Sequence, residues 1–347
     1  MDSPTATLIG ILQDRVGSLR QAGNLPEALH AANAAVEKSQ QTLSPHLDSI
    51  DAFASALETR GNIHRELGNH ELAREDYRQA IDQLQDRPDR FDQVGRLHAG
   101  EGAAYDGLGD EEKAVGHWLR AIEYFEKHEP PLLLDIAAMA NNLGFIAKAN
   151  GDLDTAETHF LRALEIMHSQ LGQDHEQTAT VSSNLGALYQ ASGFYEQSRE
   201  MHMIALETRR NLLGEEHPDT AQSHNNLALA LLHTGDRSWA RRHFEKSLTG
   251  YEALGAQYTL DLEAVASNYC DFLREEGEAN LADVRRLDAS GKLHGKIRAF
   301  VSFCRLHQDA RVPDPYYGGE PGFQHVIGLL EDGCRGILEF LQGRRRA

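Results

Sequence analysis

The chain has 347 residues, 53 Asp and Glu against 34 Lys and Arg, a formal net charge of -19 and three cysteines. That charge argues against nucleic acid and anionic membranes, which call for Lys and Arg gathered on one face, and it would attract basic partners. Cys270, Cys304 and Cys334 supply neither a disulfide framework nor a CxxC pair, no apolar run approaches roughly 18 residues, and the start lacks a basic and apolar leader, so a cytoplasmic location is expected.

Ala and Leu dominate and β-branched residues are few, which predicts a mainly α chain. The first predicted helical stretch runs to Gly23, and a Gly at the same place recurs at Gly68, Gly109, Gly151, Gly193, Gly235 and Gly277. The spacings are 45, 41 and then 42 four times, a period that predicts one helical hairpin per unit. The first unit has Val16 seven residues before its Gly, whereas later units have Gly61, Gly102, Gly144, Gly186 and Ala228. Such small residues let helix A and helix B approach closely. Five residues after the Gly stands Ala28, Ala73, Ala114, Ala156, Ser198 or Ala240, expected to pack on helix A. Nine after it, Tyr77, Trp118, Phe160 and Phe244 are expected to fill the gap between units. The Gly itself marks the turn between the two helices, where a positive φ suits only Gly. No such hairpin buries its own apolar face, so neighbours must stack.

The connectors add to the pattern. Leu171-Gly172-Gln173-Asp174-His175 precedes Thr178-Ala179, and Leu213-Gly214-Glu215-Glu216-His217-Pro218-Asp219-Thr220-Ala221 precedes Asn225-Asn226-Leu227-Ala228. Over roughly residues 8–278 the chain resembles the tetratricopeptide repeat family in its kinesin-light-chain-like form. The resemblance implies a right-handed α-solenoid of about seven helix-turn-helix repeats that binds a protein or peptide in its concave groove.

Asn recurs nine residues before the hinge Gly at Asn142, Asn184, Asn226 and Asn268, whereas the first three units have Asp14, Thr59 and Gly100 there. The resemblance places this position on the concave face, where a carboxamide can donate to and accept from the backbone of an extended peptide. Asn141 and Asn225 add polar neighbours, and Lys148, Gln190 and Arg274 are expected to face the groove a helical turn further on. Two readings stay open: the Asn ladder grips a ligand, or it bonds to the adjacent repeat. Either way the groove is best developed over residues 135–275. Eighteen His occur, but there is no HExxH, and His202, His224, His233 and His243 lack ligand spacing along the chain, so no metal or cofactor is expected.

Beyond residue 278 the character changes. Lys296 to Phe303 reads as a strand, Val312 to Gly319 as a turn-rich loop, and Phe323 to Leu341 as an amphipathic helix. Asn280-Leu281-Ala282-Asp283, Asp314-Pro315-Tyr316-Tyr317 and Gly322-Phe323 resemble the C-terminal half of low-molecular-weight protein tyrosine phosphatases. The resemblance implies a small α/β remnant over 279–347, with Asp314 as general acid and Tyr316 and Tyr317 at the cleft wall. The chemistry also needs a thiolate on a phosphate-cradling loop with Arg six residues on. After the three cysteines, Glu276, Ala310 and Phe340 stand there instead. No enzyme activity is therefore expected of this chain alone. The segment reads as a cap on the last repeat, as a fusion relic, or as half of an enzyme completed by a partner chain.

Overall fold

The computed structural model describes residues 3–269, 271 and 272. Twelve helices follow one another: α1 Ser3–Gln21, α2 Leu25–Gln41, α3 Leu47–Glu66, α4 His70–Leu84, α5 Phe91–Gly107, α6 Glu111–Lys127, α7 Leu133–Ala149, α8 Leu153–Leu171, α9 Glu176–Ala191, α10 Tyr195–Leu213, α11 Pro218–His233 and α12 Arg237–Leu254. Residues 259–269 are also helical, and no strand occurs among the described residues. The chain divides into two compact units, residues 1–240 and 241–347. The segment expected to form the α/β remnant lies outside the described residues.

The hairpin turns obey a single backbone rule. Gly23, Gly68, Gly109, Gly151, Gly193 and Gly235 all have φ between +73° and +86°. The residue after each Gly donates its N–H to a carbonyl five residues back, for example Asp110 to Tyr105 at 2.9 Å and Asp152 to Ala147 at 2.9 Å. This is the 6→1 closure that satisfies the last carbonyls of helix A. The same residue then begins helix B: the Asp110 and Asp152 carboxylates accept from the Lys113 and Thr155 N–H groups, both at 3.2 Å. Two residues therefore end one helix and start the next. Between units, His175 and His217 cap α9 and α11 by accepting from the Gln177 and Asp219 N–H groups at 3.2 Å. The linker histidines are thus helix caps.

Packing in the first unit follows the small-residue code. A Cβ on Gly61, Gly102, Gly144 or Gly186 would lie 2.8, 2.6, 2.8 or 2.8 Å from Tyr77, Trp118, Phe160 or His202. In these four hairpins the ring nine residues after the hinge therefore packs closely against helix A of its own hairpin. Tyr77 also reaches the next hairpin, where a Cβ on Gly100 would meet it at 2.7 Å. For Tyr77 the expected gap-filling role is therefore shared between the two neighbours. Ala28, Ala73, Ala114, Ala156 and Ser198 are fully buried, as their position five residues past the hinge requires.

In the second unit, Phe244, Tyr269 and Phe272 form a ring cluster with centroids 5.5 to 5.9 Å apart. The Tyr269 hydroxyl donates to Glu245 Oε1 at 3.0 Å.

Candidate functional site

The 42-residue period places Asn142, Asn184 and Asn226 at equivalent points of α7, α9 and α11, and Asn268 in the helical stretch 259–269. All four are half-buried. Part of the ladder runs between neighbouring repeats. Asn184 Nδ2 donates to Asn141 Oδ1 at 2.9 Å, and Asn226 Nδ2 reaches Ser183 Oγ at 3.4 Å. Each bond joins the Asn of one helix A to the preceding position on the helix A before it. Asn226 Oδ1 also accepts from Gln222 Nε2 at 2.9 Å. The Asn142 carboxamide has no hydrogen bond among the described residues. Asn225 is buried, 5% exposed, and belongs to the packing of α11.

One turn along, Lys148 and Gln190 are half-buried on α7 and α9. Burial holds the Lys148 ammonium below its ordinary pKa. Arg274 and Asp314 lie outside the described residues.

Between α9 and α11, with α10 contributing to its wall, opens a cleft of about 410 Å³. It brings together two expected residues, Gln190 and Asn226, with Tyr195, His202 and His233. The Tyr195 and His233 rings stack at 4.3 Å, only 7° from parallel, and form an aromatic wall. Burial, with smaller contributions from Lys148 and Arg209, lowers the His202 pKa to about 4. His202 is therefore a neutral ring at pH 7. Tyr195, His202 and His233 were not among the expected residues. The available signal was the fifth hairpin's lack of an aromatic nine residues past its hinge: His202 stands there, under Gly186.

A second polar cluster lies in the third hairpin. His98 and Glu101 on α5 are 6% and 4% exposed, and His117 on α6 faces them. The two Nδ1 atoms are 3.2 Å apart, and Glu101 Oε2 lies 3.4 Å from His117 Nδ1. Tyr124 stacks on His98 and Tyr105 on His117. Burial, then His117 and Arg120, lowers the His98 pKa to about 4; burial, then Arg120, does the same for His117. Burial raises that of Glu101 to about 7 against the opposing pull of Arg74 and Arg120. The His117–Glu101 contact is thus one of neutral imidazole with carboxyl, and not an ion pair. Nothing along the chain flagged this trio, because its members sit on two helices.

Comparison with known proteins divides the chain similarly. Tetratricopeptide repeat family models match residues 15–88, 135–193 and 177–253. The low molecular weight phosphotyrosine protein phosphatase model matches residues 257–347. A Synechocystis sp. protein, slr0328, named as a low molecular weight protein-tyrosine-phosphatase, is 34% identical over 109 residues, 31% of this chain and 68% of its own. Among solved structures, BtubC (BKLC) from P. vanneervenii superposes with a TM-score of 0.58 at 24% identity, covering 66% of this chain and 92% of that one. The apo form of RapI superposes with a TM-score of 0.61 at 15% identity, covering 83% and 98%. These two likenesses establish the α-solenoid fold.

Proposed function

The chain belongs to the low molecular weight phosphotyrosine protein phosphatase family over its C-terminal region and carries tetratricopeptide repeats before it, and from that premise we propose that it is an interaction scaffold that holds a protein or peptide in the groove of its helix A faces. The observation that carries this reading is the cleft between α9 and α11. It places two carboxamides, Gln190 and Asn226, beside a flat wall of stacked rings. Carboxamides of this kind suit peptide groups whatever the sequence, and a flat ring wall suits an apolar side chain. Asn142, with no partner among the described residues, and half-buried Lys148 extend the same polar row along α7.

The ladder has both roles in this reading. Asn184 and Asn226 tie neighbouring helices A together, and that fixes the register of the groups left for a ligand. Asn141 takes part in the tying, Asn225 is buried within α11, and Asn268 and Arg274 would continue the row. We place the array over 1–278 and the phosphatase-like region over 279–347. The array's spacing extends through Asn268 to Gly277, although the phosphatase match begins at 257. The net charge of -19 favours a basic ligand over nucleic acid, and three cysteines without a disulfide framework suit a reducing, cytoplasmic setting. The test is affinity for a peptide selected from a display library against the full chain. Asn184→Ala with Asn226→Ala should weaken it at least tenfold with an unchanged circular dichroism spectrum, and unchanged affinity would refute the reading.

Family membership favours a second reading, phosphotyrosine chemistry with Asp314 as general acid. The three cysteines all lack Arg six residues on, so the nucleophile would have to come from another chain. Purified protein should not hydrolyse p-nitrophenyl phosphate. Turnover abolished by one Cys→Ser change would overturn that expectation.

A further inference from the structure

His98, Glu101 and His117 form a compact, mostly buried set of three donor side chains that the peptide groove does not use. On α5, His98 and Glu101 are three residues apart and share one face. On α6, His117 comes from across the hairpin. All three ligand atoms lie within 4.8 Å of one another.

The spacing carries the chemistry. In a tetrahedral site with metal–ligand bonds of about 2.0–2.1 Å, neighbouring donor atoms are about 3.3–3.4 Å apart. Here the two imidazole nitrogens are 3.2 Å apart, and the carboxylate oxygen is 3.4 Å from the second of them. Two edges of the ligand triangle are therefore already at coordination length. Two imidazoles and one carboxylate suit a borderline divalent ion such as zinc, and not magnesium or calcium, which take oxygen ligands. The side chains are also held in place. Tyr124 stacks on His98 at 5.5 Å and Tyr105 on His117 at 5.3 Å, and ring stacking restricts the turning that would break the triangle. A cation would also offset the cost of burying the Glu101 carboxylate, which is 4% exposed. Arg74 and Arg120 act on the same carboxylate and would compete with the ion for it.

We propose that His98, Glu101 and His117 are a three-ligand site for a divalent transition-metal ion, with a fourth position left for water or a partner's side chain. The site would clamp α5 to α6 within the third hairpin. It revises the expectation of no metal, which rested on spacing along the chain.

The test uses the full chain, freed of metal by a chelator and titrated with zinc and with cobalt(II). With 18 His and three Cys in the chain, the readout is a difference between variants. Wild type should bind one more tightly held zinc per chain than His117→Gln or Glu101→Gln. Zinc should raise the melting temperature of wild type and lose that effect in either folded variant. Cobalt(II) in wild type should give the visible bands of nitrogen and oxygen donors, with no thiolate charge transfer. Equal stoichiometry and equal thermal shift in wild type and either folded variant would overturn the proposal. So would wild type that binds no zinc, or a wild-type cobalt spectrum dominated by sulfur, an outcome that depends on no variant folding.

Discussion

At the scale of the residue, the hairpins depend on which glycines face rings and which face open space. Gly144→Ala would set a Cβ 2.8 Å from the fully buried Phe160 ring. It should cost about 1–3 kcal/mol by denaturant unfolding. Gly116, inside α6, has nothing within 4 Å of its would-be Cβ and no positive φ. Gly116→Ala should therefore stabilise by about 0.5–1 kcal/mol, through helix propensity alone. His202 makes the fifth hairpin sensitive to pH. Its folded pKa of about 4 lies below the 6.5 of a free imidazole, chiefly through burial. The unfolded chain therefore takes up the proton first. The stability His202 contributes is present above pH 6.5 and is lost as pH falls toward 4, by on the order of 3 kcal/mol. His202→Phe, which restores the ring type of Phe160, should flatten that part of the stability–pH curve; an unchanged curve would place the titration elsewhere. The small residues and the hinge glycines were legible in the sequence because each is fixed by a steric limit that repeats every 42 residues. His202 was not, because its role comes from Gly186 above it, while its own identity breaks the aromatic pattern.

At the scale of the element, long-range polar pairs lock helices that the repeat code alone would leave free to slide. Arg60 on α3 makes a two-pronged contact with Asp76 on α4, Nε to Oδ2 at 2.8 Å and Nη2 to Oδ1 at 2.5 Å. The Asp76 side chain is only 4% exposed. Arg60→Met would leave that carboxylate buried without its partner and should cost about 3 kcal/mol in chemical denaturation. A loss below about 0.5 kcal/mol, the surface-pair range, would contradict this account. Arg209 on α10 similarly ties Thr180 on α9 to Ser223 on α11, at 3.1 and 2.9 Å. Helix ends were readable because the hinge Gly recurs wherever the turn between two helices needs a positive φ. The pairs Arg60–Asp76 and Asn184–Asn141, and the His98–Glu101–His117 trio, were not. Each joins residues that become neighbours only once the helices stack, and no spacing along the chain marks them.

At the scale of the whole molecule, the sequence announced an array and a change of character after it. The repeat matches end at 253 and the phosphatase match begins at 257, earlier than the 279 read from residue patterns. The helical stretch 259–269 lies where the two assignments meet: its apolar spacing fits a helix A, and helical periodicity alone does not separate a last repeat from the start of the phosphatase-like region. Among the described residues no helix is long and apolar enough to cross a membrane. Charge sets the expected partner. With -19 overall, affinity for a basic peptide should fall as salt rises from low to physiological strength, because screening shortens the reach of the attraction. A salt-independent affinity would mean that the net charge has no part in recognition.

Hydrogen exchange on the full chain, with and without a peptide selected from a display library, tests the scaffold reading most directly. Binding in the groove predicts slowed exchange along α9 and α11 around Gln190 and Asn226 and at the Tyr195 end of α10, with the outer surface of α8 unchanged. Protection confined to α8, or to residues beyond 278, would contradict it.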